Sequence, residues 1–135
     1  MDTKIQVKKR GDEKACSGMA VFFGKLYSFN NALKLYHWQV TGRGSYARHM
    51  ALDQALSTLS DTLDRLVETA YSLYGGMNII IPETAAPADI ITFASDFYNE
   101  VEYKRELFRE KFIDSIIDDY QEAIRQLLYR LVRLE

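Results

Sequence analysis

One cysteine, two prolines and two histidines are all that the 135 residues contain of these types. The lone thiol, Cys16, excludes an internal disulfide framework. Its neighbours Ala15, Ser17 and Gly18 supply nothing that would activate it. No apolar run reaches the ~18–20 residues of a membrane span. Residues 1–14 lack the apolar stretch of a signal peptide. A soluble, cytoplasmic protein with no membrane partner is therefore expected. Neither sign of charge dominates: 17 Lys and Arg stand against 19 Asp and Glu, a formal net charge of −2. The body of the protein is thus no strong attractor of nucleic acid. Residues 1–14 alone are locally basic, with Lys4, Lys8, Lys9, Arg10 and Lys14 set among acids. They read as a solvated basic tail, with DNA contact as the weaker alternative.

The scarcity of chain breakers maps the organisation. Pro82 and Pro87, with Gly75 and Gly76, punctuate a single stretch. Apolar residues recur at steps of three and four on either side of it, the period of a helix face. Segment A carries Met19, Phe22, Leu26, Phe29, Leu33, Tyr36 and Val40. The turn "TGRGS" follows, and Ser45 is the expected cap of segment B. Segment B carries Leu52, Leu56, Leu59, Leu63 and Leu66 and should stop near Tyr74 at Gly75. Residues 75–87 form a long connection in which "MNIII" is either a short strand or an apolar piece packed over the helices. Segment C begins near Ala88. Segment D carries Ile113, Ile117, Tyr120, Ile124, Leu127 and Leu131, with Asp114 or Ser115 as its expected cap. The length fits one domain, assigned to residues 15–135. The layout predicts an all-α protein: a four-helix bundle with one long B–C crossover, as in ferritin-like folds.

Both histidines lie in the stretch "KLYHWQVTGRGSYARHMALDQALSTLSDTLDRLVE", as does Trp38, the only tryptophan. With His49 set at zero on a helical wheel of roughly 100° per residue, Asp53 falls near ~40°, Asp64 near ~60° and Glu68 near ~100°. The leucines occupy a neighbouring arc. Imidazole with carboxylate suits iron, zinc or manganese. Each of these residues taken singly also reads as an ordinary solvated or hydrogen-bonded side chain. Helix length constrains the joint reading. His49 and Asp64 are about 22 Å apart at ~1.5 Å per residue, too far for one ion with ligands ~2 Å away. The stripe therefore splits into two half-sites, His37 with His49 and Asp53, and Asp64 with Glu68. Antiparallel pairing of two B segments from different subunits would bring each half to its complement, as a two-fold contact requires. Ser57, Thr58 and Ser60 are small enough for close approach at the centre.

The spacing of this stretch resembles the signature of the Dps-type mini-ferritins, the DNA-protection-during-starvation family. His37-Trp38-Gln39-Val40 is similar to that family's His-Trp-Asn-Val string. His49 follows after twelve residues, Asp53 after four more, and the Asp64/Glu68 pair eleven residues further on. The resemblance is carried by residues 31–76, and "YSLYGGMNIIIPET" is similar to the segment after the family's second helix, with extra residues. Several features depart from it. Gln39 replaces asparagine, the chain is shorter, and the usual link between the third and fourth helices is missing. The resemblance implies that His37 and His49 ligate iron in one subunit while Asp64 and Glu68 come from the two-fold partner. Asp53 would be a ligand or support one, and Trp38 would lie beside the site. It also implies ferroxidase activity, oxidation of ferrous iron by hydrogen peroxide or oxygen. Ferric iron would be stored in a hollow homododecamer as a defence against oxidative stress. Asp114, Asp118 and Glu122 form an acidic stripe that would either line an iron-entry pore or simply favour a helix N-terminus. Two other readings stay open: a structural or cargo protein on the same fold without turnover, and a DNA-binding shell.

Overall fold

The computed structural model describes residues 13–133, with side chains from Cys16 onward. Four helices and one short turn make up the ordered elements: α1 (Glu13–Gln39), α2 (Ser45–Tyr74), α3 (Ile90–Lys104), the 3-10 turn Arg105–Leu107, and α4 (Lys111–Arg133). No strand occurs among the described residues, so "MNIII" is irregular chain. The basic tail expected over residues 1–14 lies largely outside the described residues, and α1 already includes Glu13 and Lys14.

Each helix buries the stripe that its period marks. Phe22, Leu26 and Leu33 of α1, Leu52, Leu59 and Leu66 of α2, and Ile113, Ile117 and Ile124 of α4 are essentially sealed from solvent. The main packing partners are α2 with α4, α1 with α2, and α3 with α4. Arg65 of α2 pairs with Asp119 of α4, and Gln54 shares a groove with Arg130, so these two helices run antiparallel. One polar link crosses the core. The Tyr120 hydroxyl donates to Asn30 Oδ1 at 2.7 Å. Complete burial pushes that phenol well above its ordinary pKa, so it stays a donor.

The helix ends follow local chemistry in three places and tertiary packing in a fourth. Gly75 takes φ +85° and closes α2, its N–H donating to the Tyr71 carbonyl at 2.9 Å. Asp89 caps α3, accepting from the Thr92 backbone N–H at 3.1 Å and from the Thr92 hydroxyl at 2.9 Å. At the start of α2 the cap is Gly44, in the left-handed region at φ +77°. Ser45, the expected cap, is the first helical residue. The boundary before α4 differs most from expectation. That helix starts at Lys111, ahead of Asp114 and Ser115. No glycine or proline breaks the chain there. Phe108 does, by turning extended (φ −119°, ψ 145°). Its ring drops among Phe22 and Phe23 at centroid distances of 6.1 and 5.9 Å. Burying one aromatic ring outweighs one more turn of helix.

The 75–89 connection lies against α1. Ser28 donates its hydroxyl to the Pro82 carbonyl at 3.1 Å. Gly24 brings the helix backbone so close that an added Cβ would sit 2.1 Å from the Ile80 oxygen.

Candidate metal centre

The short turn between α1 and α2 brings the two histidines together. Gly42 and Gly44 adopt φ values of +88° and +77°, which cost a residue with a side chain but not glycine. The chain reverses within a few residues, and the last turn of α1 faces the first turns of α2. The His37 and His49 rings stack with centroids 3.7 Å apart and planes 28° from parallel. Asp53, one helical turn beyond His49, faces both. Its Oδ1 lies 2.7 Å from His37 Nε2 and its Oδ2 lies 3.6 Å from His49 Nε2. One donor atom from each residue lies within 4.8 Å of the others, and this is the one such group of three metal-ligating side chains among the described residues.

Burial divides the three. His37 is 4 % exposed, whereas the His49 and Asp53 side chains are 41 % and 45 % exposed. Neither ring nitrogen of His37 has an aligned hydrogen bond. The Asp53 oxygen is near Nε2 in distance but off the direction an N–H would point. Burial of His37 lowers its pKa. The Asp53 carboxylate opposes that shift, and His49 and Lys34 reinforce it. The neutral imidazole, with a lone pair available, is the form a metal needs. The His49 Nδ1 sits 3.3 Å from the His37 backbone carbonyl. That carbonyl belongs to the last turn of α1, where carbonyls lack intrahelical donors. In the tautomer that donates from Nδ1, His49 satisfies it and keeps an unprotonated Nε2 facing Asp53. Metal-ligating histidines are commonly oriented this way.

A stability consequence follows for the metal-free chain. Unfolding restores His37 to its ordinary affinity for protons, so the unfolded state binds more of them below about pH 6.5. The His37 contribution is therefore fully present above about pH 6.5 and shrinks as pH falls below it. In chelator, the urea midpoint is expected to drop more steeply between pH 7 and 5.5 for the wild type than for His37→Gln.

The remaining candidates lie elsewhere. Asp64 and Glu68 are exposed on α2, in the half of the helix away from the histidines. Trp38 is 66 % exposed, with the Lys34 ammonium 5.6 Å from its ring centre. The acidic stripe on α4 has a local partner. Arg105 bonds Asp114 Oδ1 at 2.6 Å, and also bonds Asp118 and Gln121. Two of the three acids read as lining a pore or favouring a helix N-terminus are thus answered by a cation of their own chain. Nothing in the residue spacing pointed to Arg105. Nor did it point to the cleft beside Asp53, where Tyr46, Met50, Ser57 and Arg130 converge.

A helical bundle with a histidine–carboxylate cluster at one helix corner is the class that fold and site define. Residues 37–131, well over half of the chain, match the family of unknown function DUF5856, and the chain belongs to that family. The matched span begins at His37 and includes His49, Asp53, Asp64 and Glu68. No curated protein and no solved structure matches the chain. No helix among the described residues is long and apolar enough to cross a membrane.

Proposed function

We propose that this protein is a Dps-like mini-ferritin. It would bind ferrous iron between paired chains, oxidise it with hydrogen peroxide or oxygen, and store the ferric product in a hollow homo-oligomer, with a dodecamer as the expected size. The observation that carries this reading is the convergence of the buried His37 with the more exposed His49 and Asp53 at the α1–α2 corner. The bundle would then be ferritin-like, with the 75–89 connection as its crossover.

The exposed face of α2 supports the pairing. Asp53, Ser57, Ser60, Asp64 and Glu68 are all left uncovered by their own chain. Tyr46 and Met50 add apolar surface at the N-terminal end, 78 % and 48 % exposed. An antiparallel copy brings Asp64 and Glu68 of the partner subunit to the histidine half-site. His37 and His49 hold the ferrous ion as neutral nitrogens, and Asp53 adds a negative charge that stabilises the ferric product. Two ferrous ions deliver one electron each to one peroxide. Zinc and manganese suit the same donors and would compete with iron. Small exposed polar residues at the centre of the face, Ser57 and Ser60, allow the helices to approach.

Ferrous iron mixed with peroxide under anaerobic conditions, followed by absorbance of the ferric product, tests the proposal. The wild type is expected to oxidise iron well above the buffer rate. His37→Ala combined with Asp64→Ala is expected to fall to the buffer rate. Equal rates in the two proteins would sink it.

One observation favours a second reading. The His49 contact with the His37 carbonyl is also what a purely structural corner would use. In that case the cluster holds a structural ion, or none, and the protein is a scaffold or cargo shell without turnover. The same assay separates the two, because the scaffold shows no oxidation. DNA binding rests on the tail alone, and a gel shift abolished by deleting residues 1–14 would establish it.

A further inference from the structure

Resting on the reading of this corner as a metal site, we infer that one chain by itself holds the first divalent ion. His37, His49 and Asp53 would form a two-histidine, one-carboxylate site that needs no partner. The acids of the second chain would then complete a site that is already loaded.

The three donors come from one turn of chain reversal. His49 and Asp53 are one helical turn apart on a rigid helix and so share a face. His37 is held by burial, with its side chain only 5 % exposed. Both of its nitrogens lack an aligned partner. An orphaned buried imidazole that close to a carboxylate is costly without a ligand. A metal ion would relieve that cost by taking the lone pair of Nε2. His49 is already oriented through Nδ1 on the His37 carbonyl. Donor atoms this close, 4.8 Å at most, need little rearrangement to meet on one ion, and preorganisation of this kind is what raises affinity.

Two imidazoles and one carboxylate are the donor set of many ferrous sites, and they leave coordination positions open. The side chains of His49 and Asp53 are both more than one-third exposed, so those positions face outward. Water, oxidant or the carboxylates of a second chain can reach them. Asp64 and Glu68 are some ~22 Å along the same helix and cannot contribute within one chain. Metal loading therefore does not depend on protein concentration, whereas completion of the site does.

Cobalt(II), which reports its ligands by its visible spectrum, is the probe. It is titrated into full-length wild type and into a double variant, Asp64→Asn with Glu68→Gln, whose exposed positions keep their shape. The double variant is expected to retain one cobalt per chain, with a dissociation constant within about tenfold of wild type. Asp53→Asn is expected to weaken binding by about 10–100-fold, and His37→Gln to abolish it. Far-UV circular dichroism verifies that each variant is folded. A double variant that loses cobalt while the wild type holds it overturns the one-chain site and leaves the two-chain proposal standing. So does an Asp53→Asn protein that binds as the wild type does. Cobalt held by one chain without iron oxidation in the wild type upholds this inference and overturns the proposed oxidation.

Discussion

Two inactive variants, mixed, are expected to recover about a quarter of the wild-type rate of the proposed iron oxidation. One variant is His37→Ala, which loses the histidine half-site and keeps its acids. The other is Asp64→Ala with Glu68→Ala, which loses its acids and keeps His37, His49 and Asp53. Each alone forms pairs in which every site lacks one half. A mixed pair has two sites of opposite fate. At one, the His37→Ala half faces the missing acids, and nothing remains. At the other, the intact histidine half from the second variant meets the intact acids from the first, and all native ligands are present. Random association at equal concentrations makes half of the pairs mixed, and half of the sites in each mixed pair are complete. About one site in four is therefore native, as two-fold symmetry dictates.

Recovery on mixing is what makes the result informative. If His37, His49 and Asp53 of one chain sufficed for oxidation, the Asp64→Ala, Glu68→Ala variant would be active by itself, and mixing would only dilute it. Head-to-tail association in a ring gives the same one site in four, so recovery reports that two chains share the site, whatever their symmetry. The chains must be unfolded together and refolded, or co-expressed, so that partners exchange. Rate against mixing ratio then follows the product of the two mole fractions, with its maximum at equal amounts. A flat line at the buffer rate removes the proposed pairing. The same proteins measured separately guard against residual activity in either parent.

Much of this corner is legible in the sequence because it rests on local rules. His49 and Asp53 are four residues apart, and a helix must place them on one face. His37 ends the preceding apolar stripe, and two glycines between the helices force a tight reversal. Only the distance between the two half-sites required length as an additional argument. The parts that escape the sequence depend on contacts between distant residues. Phe108 ends a helix because its ring finds Phe22 and Phe23, some 85 residues earlier, and nothing in "FREKFIDS" marks that. Arg105 is one basic residue among several until the fold sets it against Asp114 and Asp118. The acidic stripe reads as a surface feature in the sequence, and the fold supplies its counter-charge. Gly44 takes over the cap position from Ser45 for a related reason. The left-handed turn that joins the two histidine-bearing helices has to fall there.

Gly24→Ala is the second large effect expected, and its sign opposes helix propensity. An alanine in the middle of α1 gains about 1 kcal/mol over glycine in an ordinary helix. At this position the added methyl group meets backbone. It would lie 2.1 Å from the Ile80 carbonyl oxygen and 3.2 Å from the carbonyl carbon. Contact between such atoms is normally above 3 Å. A side chain could swing away, but the Ile80 peptide is tied to its neighbours. Ser28 also holds Pro82 two residues on. Either the whole 75–89 connection lifts off α1 or the helix shifts in the core. Overpacking of this kind costs about 1–3 kcal/mol and occasionally more. Because the clash is with backbone, the upper end of that range applies, about 3 kcal/mol; subtracting the propensity gain leaves a net loss of about 2 kcal/mol, or a fall in Tm of roughly 5–10 °C for a domain of this size. Gly18→Ala is the matched control. It lies on the same helix, and its new methyl would meet only the tip of the Leu107 side chain at 3.2 Å, which can rotate. That variant is expected to be neutral or stabilised by up to about 1 kcal/mol. Thermal melts of the two proteins should therefore move apart. Identical shifts would mean that the connection does not press on α1 at Gly24. Limited proteolysis adds the local readout: faster cleavage within residues 75–89 in Gly24→Ala, with α2 and α4 intact, is the signature of a connection displaced from an otherwise intact bundle.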